Sequence, residues 1–330
     1  MRTRRLGEHG PEVSAIGLGA MNISGFYGPA TEEQAFALFD AARELGIDHL
    51  DTSNAYGMGH SEEVIGRYLA DRGPVFRLAT KAGIRRDPAT GARSFDNSAE
   101  HLREALDQSL ARLGVERVDL FYVHRREAGR PIEEVTETLA SFVQAGKIGA
   151  FGFSEIAPTS LRRAASVHPV AAVQSEYSLG VRAPELGLVQ ACETLGTALV
   201  AFCPVGRGLL TDTPPDRTRA AASAFLKENP RFVEPNLSAN LTATDRFRAV
   251  AADMGLPAAS LAIAWLLRSS AQVIPIPGTR DASHLAELAK GATVELSAED
   301  MSLIEQTLPV GWAHGDRYNE AQWQGPERYC

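Results

Sequence analysis

Asp51, Tyr56, Lys81 and His124 are the residues of this chain whose types and spacing could do chemistry together. Asp51 opens the stretch "DTSNAYG" directly after the apolar Leu50, and Tyr56 follows one short turn later. A plain loop at that place needs polar residues and a glycine, but no tyrosine. A free phenol titrates near ~10 and is a poor acid at neutral pH. A neighbouring ammonium stabilises the phenolate and lowers that value. Lys81 is the candidate ammonium, Asp51 the carboxylate that holds it, and His124 the group that orients a substrate oxygen or shares the proton. Such a set protonates an oxygen that gains charge as hydride reaches its carbon, which is carbonyl reduction. The sequence has no metal-ligand spacing and no nucleophile elbow, so the hydride is expected from a bound cofactor. Taken singly, Asp51 reads as a turn residue, Lys81 as a strand-end lysine reaching for water, His124 as a core histidine and Tyr56 as a packing aromatic. The joint placement of Asp51, Lys81 and His124 at strand ends outweighs their plainer roles, while a packing role for Tyr56 stays open on the residues alone.

Residues this far apart meet only if the elements carrying them end in register. Apolar, β-type runs recur at "SAIGLG", "IDHLDT", "FRLATK", "VDLFYVH", "KIGAFGFS", "VAAVQSEY", "ALVAFCPV" and "AQVIPI". Helical patterns follow most of them. "TEEQAFALFDAARELG" starts on a Thr cap, carries acids in its first turn and stops at Gly. "SEEVIGRYLADRG", "SAEHLREALDQSLARLG" and "PIEEVTETLASFVQAGK" repeat that grammar, as do "APTSLRRAASVH", "APELGLVQACETLG" and "PAASLAIAWLLRSS". This alternation implies parallel strands with helical crossovers. Eight such units fit an α/β (β/α)8 TIM barrel better than an open doubly wound sheet. A hairpin-like piece with a Gly-Pro turn precedes the first strand. Residues 206–256 form a long insert after the seventh strand, with a helical segment near "TATDRFRAVAADMG". An insert of that length reads as functional or as a lid. The tail from Gly311 reads as a loop over the barrel surface. Barrels of this length often form one domain, so residues 1–330 are expected to fold as a single barrel domain.

In such a barrel, chemistry sits where strands end and βα loops begin. Those points carry Met21, Asn22, Asp51, Lys81, His124, Ser154, Glu155, Gln174, Cys203, Gly278, Thr279 and Arg280. Asp51, Lys81 and His124 close three successive strands and should converge, with Tyr56 reaching the same place from its loop. "GLGAMN" fails the G-x-G-x-x-G dinucleotide pattern at its last position, so a nicotinamide cofactor would lie on the barrel rim. Ser154 and Gln174 are placed to bind its carboxamide, and Phe202 to stack on its ring. Arg207 and Gly208 in "PVGRGLL" suit the pyrophosphate, and Gly278, Thr279 and Arg280 lie near a helix start, where anions are favoured. Plainer roles stand beside these: Ser154 as a helix cap, Gln174 as a buried polar residue, Arg207 and Arg280 as solvated charges, Cys203 as structural. Arg85, Arg86, Arg162 and Arg163 read as solvated charges.

The bulk numbers set limits. The 330 residues are 44% hydrophobic and 22% charged, ordinary globular composition with ample material for a core. With 33 Lys and Arg against 41 Asp and Glu, the net charge is -8. That argues against a nucleic-acid-binding surface. Cys192, Cys203 and Cys330 make no disulfide framework, which suits a reducing compartment. The basic "MRTRRLGEHG" has no apolar run behind it and is not a signal peptide. No apolar run is long enough to span a bilayer. A soluble cytoplasmic protein without a nucleic-acid or membrane partner is therefore expected.

With these residues set out, the sequence resembles the aldo-keto reductase superfamily over nearly the whole chain. The family's Asp-Tyr-Lys-His tetrad matches Asp51, Tyr56, Lys81 and His124. "DTSNAYG", "ATK", "DLFYVHR", "GFSE", "VQSEYS", "FCPVGRG" and "IPIPGTR" match in order. "GLGAMNISGFYG", "GDRY" and the Ser154-Glu155 pair resemble the branch holding pyridoxal reductases and plant auxin-induced proteins. The resemblance implies Tyr56 as general acid, NADPH or NADP+ as cofactor, and a small carbonyl or alcohol as substrate. Met21, Asp51, Glu155 and Glu287 complete the cofactor-side candidates. Where this branch often has Leu-Glu-Glu-Asn near the adenine, the chain has Leu285, Ala286, Glu287 and Leu288, which removes an Asn contact. Phe202 stands where many relatives stack a Tyr, and Cys203 where a Ser is common. Two other readings use the same barrel: a Schiff-base aldolase with Lys81 as nucleophile, and a redox-sensing regulatory subunit of the potassium-channel β type, which keeps the tetrad. Loops 22–30, 84–97 and 206–241 and the tail would shape the substrate pocket.

Overall fold

A computed structural model describes residues 1–8, 10–87 and 90–329, so Cys330 and two positions of the 84–97 loop lie outside the described residues. Eight parallel strands carry the architecture: β3 (Leu18–Gly19), β4 (His49–Asp51), β5 (Arg77–Ala82), β8 (Val118–Val123), β9 (Ile148–Ser154), β10 (Ala172–Glu176), β11 (Ala198–Phe202) and β12 (Val273–Pro275). They are hydrogen-bonded in that order, with β3 and β12 at the two ends of the sheet. Gly17 N donates to Pro275 O and Gly19 N to Pro277 O, both at 2.9 Å, so the two ends meet and the sheet curls closed. The closing strands are shorter than the expected "SAIGLG" and "AQVIPI". Pro275 and Pro277 have no N–H, so that segment can only accept across the seam.

The register places the chemistry. Asp51 lies opposite Ala79, and Lys81 opposite Tyr122. Alternation sends Ala79 and Lys81 of β5 to the same side, into the barrel. Leu120, Tyr122, Ala172, Val200 and Ile274 fill the space below them. The leading hairpin, β1 (Thr3–Arg5) with β2 (Glu12–Ser14), adds Leu6 and Val13 to that inner cluster and stops the barrel at its lower end. A larger apolar layer lies between the sheet and the helices.

The helices follow the sequence grammar. α1 (Glu32–Glu44) opens on a capping box in which Thr31 and Gln34 satisfy each other's backbone N–H. α2 (His60–Arg72) follows β4. α3 (Ala99–Leu113) is capped by Ser98 and ends at Gly114, which takes the left-handed conformation at φ 67°. α4 (Ile132–Gln144), α5 (Pro158–Ala165) and α6 (Leu188–Leu195) cover the next strands. The insert holds α7 (Arg217–Ala222), three 3₁₀ turns and α8 (Asn236–Asp253), ahead of α9 (Ala258–Ser269). Its α8 starts before the expected "TATDRF" segment. Asn240 explains this, because its carboxamide bonds Arg231 O, His314 O and His314 N, partners supplied by the insert and the tail. Leu209, Leu226, Phe232 and Leu237 give the insert a small core of its own.

Three elements go beyond the expected set. The 84–97 loop contains an antiparallel hairpin, β6 (Ile84–Arg86) with β7 (Arg93–Phe95). After β12 come α10 (Ala282–Lys290), capped by Asp281, and α11 (Ala298–Thr307), opened by a Ser297-Asp300 capping box. Among the described residues, no single helix is long and apolar enough to cross a membrane, and no cluster of His, Cys, Asp or Glu could hold a metal ion.

Candidate active site

The ends of β4, β5 and β8 bring their polar residues together. Asp51 is buried and divides its carboxylate between two partners. One oxygen accepts from Lys81 Nζ, and Oδ2 accepts from Gln174 Nε2 at 2.8 Å. Lys81 is fully buried and also donates to Thr52 O at 2.8 Å. Its ammonium lies 5.2 Å from the centre of the Tyr56 ring. His124 stands edge-on to that ring, with centres 5.8 Å apart and planes at 83°. Ser53 Oγ is 3.0 Å from His124 Nδ1 and also accepts from Ala55 N at 3.1 Å. The "TSN" of the opening stretch therefore has work to do: Thr52 holds the lysine, and Ser53 fixes the histidine and the turn that delivers Tyr56.

Electrostatics corrects one expectation. The phenol of Tyr56 is pushed up, not down: desolvation is the larger cause and the Asp51 carboxylate adds to it. The Lys81 ammonium does not overcome this because Asp51 already neutralises it at hydrogen-bond distance. Burial also depresses the Lys81 ammonium, against the pull of Asp51. His124 is held well below its ordinary value, first by burial and then by the Arg125 and Lys81 charges, so the imidazole is neutral near pH 7. The result is a neutral phenol and a neutral imidazole above a compensated ion pair.

These groups open into a cleft of about 1260 Å³. Asp51, Tyr56, His124, Ser154, Gln174 and Phe202 line its inner part, and Met21, Arg207, Gly208, Gly278, Thr279, Arg280 and Glu287 line the side leading to α10. Several of these side chains already have partners. The Gln174 amide is given to Asp51. Arg207 donates to Glu176 at 3.0 Å and to Tyr27 at 3.1 Å. Arg280 reaches back to Pro29 O at 2.8 Å, tying the 22–30 loop to the end of β12. Asp281 turns its carboxylate onto Ser283 N and Oγ, which spends its charge on capping α10.

Glu155 lies elsewhere. It is buried behind the rim with a left-handed backbone, φ 57°, and its carboxylate accepts from Arg317, Ser175 and Glu176 N. Burial alone would raise this carboxyl, but the Arg317 charge and hydrogen bonds outweigh it and hold it low. Arg317 also reaches Glu176 at 3.3 Å, so Glu155, Glu176, Arg207 and Arg317 form one buried ionic network joining β9, β10, the insert and the tail. The "SE" and "GDRY" motifs are the two ends of this network. Both motifs are visible in the sequence, but pairing them needs the fold.

Arg125 joins the site without a role in the residue reading. It follows His124, lines the cleft, and donates to Ser154 Oγ at 2.9 Å and to His124 O at 2.7 Å. Its place directly after a strand-end histidine was the available signal. Cys203 also lines the cleft, in a left-handed conformation at φ 50°, with burial pushing its thiol up to about 12.

Comparison with known proteins agrees with this geometry. The model of the Aldo/keto reductase family matches residues 15–309. An aldo-keto reductase of Schizosaccharomyces pombe, yakc, whose name specifies NADP(+), is 37% identical over 96% of this chain and 94% of its own. A probable aldo-keto reductase of Glycine max is 35% identical over 95% of this chain and 91% of its own. Among solved structures, a glycerol dehydrogenase from Gluconobacter oxydans superposes with a TM-score of 0.82 at 28% identity, covering 93% of this chain and 94% of that one. With the barrel, the strand-end residues and a match across nearly its whole length, this chain belongs to the aldo/keto reductase family.

Proposed function

We propose that this protein, acting as one barrel domain, is an NADPH-dependent reductase of small aldehydes or ketones that also runs in reverse on alcohols. The observation that carries the reading is the convergence of Tyr56, His124 and the Lys81–Asp51 pair at the inner end of one cleft. The cleft fits the cofactor. Its volume, about 1260 Å³, exceeds the roughly 300–1,000 Å³ of drug-sized sites. Its inner end has an aromatic face in Phe202 and the hydroxyl of Ser154. Its outer end has Arg280 at the start of α10, where the positive end of the helix dipole favours an anion. A Cβ on Gly278 would meet Asn22 Oδ1 and Gly19 O at 3.0 Å each, so β3 and β12 pack closely enough there to form a continuous floor.

NADPH supplies the hydride when bound. The protein's own residues handle the proton. Tyr56 holds its proton through neutral pH because its hydroxyl is desolvated, and donates it to the carbonyl oxygen as charge grows there. Neutral His124, fixed by Ser53, orients that oxygen. Lys81, 5.2 Å from the Tyr56 ring, attracts the phenolate left behind against the opposing Asp51 charge that keeps the lysine in place. The burial of Lys81 also argues against a Schiff-base role, since its amine is out of the cleft's reach.

The test is Tyr56→Phe, which removes the donor and little else. Turnover of aldehydes, followed by the absorbance of the reduced nicotinamide, should fall by about 10²–10⁴-fold. NADPH binding, followed by tryptophan fluorescence, should persist. Near-normal turnover in this variant would refute the assignment of Tyr56.

A further inference from the structure

The β6–β7 hairpin contains an arrangement that folding alone does not favour. Arg86 lies directly opposite Arg93 in the antiparallel register. Like charges facing each other across a strand pair are destabilising. Their neighbour Arg85 is on the other face and is neutralised by Asp96 at 3.0 Å. Arg86 and Arg93 both line the cleft, together with Arg125, and Ile84 shares the cleft face of β6 with Arg86. Among the described residues, none of these three arginines has an acidic partner within 4 Å. Arg86 and Arg93 are exposed at the cleft mouth, and the Arg93 guanidinium is depressed first by the partial loss of water around it and then by the Arg125 and Arg86 charges. The tail holds Arg93 in place through Ala321 O and Gln324 O, both at 3.3 Å.

This cluster is not placed for the cofactor's phosphates. In the ring of eight strands, the hairpin rises between β5 and β8, diametrically across the mouth from β11 and β12. Arg207, Gly208 and Arg280 stand on that far side. Arg125 is instead next to His124, the Arg93 charge also acts on that imidazole, and Arg86 faces Arg93 on the same side of the mouth, where a substrate carbonyl must sit. Of the carboxylates lining the cleft, Asp51 is bound to Lys81, while Asp212, Asp281 and Glu287 belong to the insert and the α10 side. The substrate end is therefore strongly positive in a protein whose net charge is -8. Guanidinium groups match carboxylate and phosphate oxygens with paired donors.

We propose that the substrate is an anionic carbonyl compound: an aldehyde or ketone that carries a carboxylate or phosphate, held by Arg86 and Arg93 in the field of Arg125. Arg86, which the sequence presented as a solvated charge, is then a specificity residue. The inference rests on the reductase reading above and narrows its substrate.

Two matched pairs test it: para-carboxybenzaldehyde against para-methylbenzaldehyde, and phosphorylated glyceraldehyde against glyceraldehyde, each with NADPH. The charged member should have the higher kcat/KM by about 10- to 100-fold, mainly through KM, and added salt should erode the advantage. Preference in one pair only identifies the anion as carboxylate or as phosphate. In Arg86→Gln/Arg93→Gln the ratio within the preferred pair should collapse toward one. The melting temperature of Arg86→Gln alone should hold or rise, because a like-charge repulsion is removed while the bonds of Arg93 to the tail are kept. A merely structural role for the hairpin predicts the opposite: lower stability with the ratio intact. Equal kcat/KM for charged and neutral members in the parent protein overturns the inference while leaving the reductase reading in place. No turnover of any of the four aldehydes overturns the reductase reading itself.

Discussion

In the mechanism proposed above, Tyr56 would owe its role as acid to what surrounds its oxygen. A phenol raised by desolvation keeps its proton to higher pH than a free one. The acid form needed to reduce a carbonyl is thus fully present at neutral pH and persists into alkali. The phenolate needed to oxidise an alcohol grows only as pH rises. Alcohol oxidation should therefore climb with pH over a range in which carbonyl reduction stays level or falls, as kcat/KM profiles in both directions will show. Parallel profiles, with chemistry limiting both, would contradict this. Arg280 invites a second test. A 2′-phosphate at the start of α10 would draw its guanidinium away from Pro29 O. Arg280→Ala should weaken NADPH by about one to two orders of magnitude while NADH hardly changes, since a hydrogen bond to a charged group contributes roughly 1.5–3 kcal/mol. Fluorescence titration of both cofactors decides it, and equal losses would assign Arg280 to the shared pyrophosphate.

At the scale of elements, the buried network of Glu155, Glu176, Arg207 and Arg317 stitches the tail and the insert to β9 and β10. Removing one member strands a charge in a dry place. Arg317→Met should cost about 3–5 kcal/mol in a denaturant titration. The same change should make the protein acid-sensitive. Glu155 has a folded pKa below its unfolded value, so its contribution is fully present above the unfolded value and lost as pH falls through the folded one. Without Arg317 the folded value rises, and acid unfolding, followed by circular dichroism, should begin at a higher pH. An unchanged acid midpoint would mean that Glu155 finds its stabilisation elsewhere.

At the scale of the whole molecule, the barrel closes along a narrow seam. A Cβ on Gly17 would stand 2.7 Å from His49 Cδ2 on β4 and 3.0 Å from Ile276 Cγ2 across the seam, where Gly17 N reaches Pro275 O. Gly17→Ala should cost about 1–3 kcal/mol through overpacking. Calorimetry should show melting lowered by ~2–4 °C for each kcal/mol lost. Because Asp51 and Gly19 are register partners beside the seam, part of the loss should appear as weaker cofactor binding. A variant with unchanged melting would show that the seam yields freely.

The local code was sufficient for much of this. Strand-end polarity, helix caps and the alternation of short apolar runs with helices are properties of neighbouring residues, so the barrel and the positions of Asp51, Tyr56, Lys81 and His124 were legible in order. Other features depend on partners far away in the chain. The β6–β7 hairpin was hidden because an arginine-rich stretch looks like a solvated loop until the cleft beside it is known. The early start of α8 depends on Asn240 meeting the tail. Glu155 looked like a rim residue because its neighbour Ser154 is one, yet it turns inward to Arg317, which is distant in sequence. The direction of the Tyr56 shift was decided in the same way. Sequence can name the lysine and the carboxylate near a phenol, but burial and the prior claim of Asp51 on Lys81 exist only in three dimensions, and those two effects set the sign.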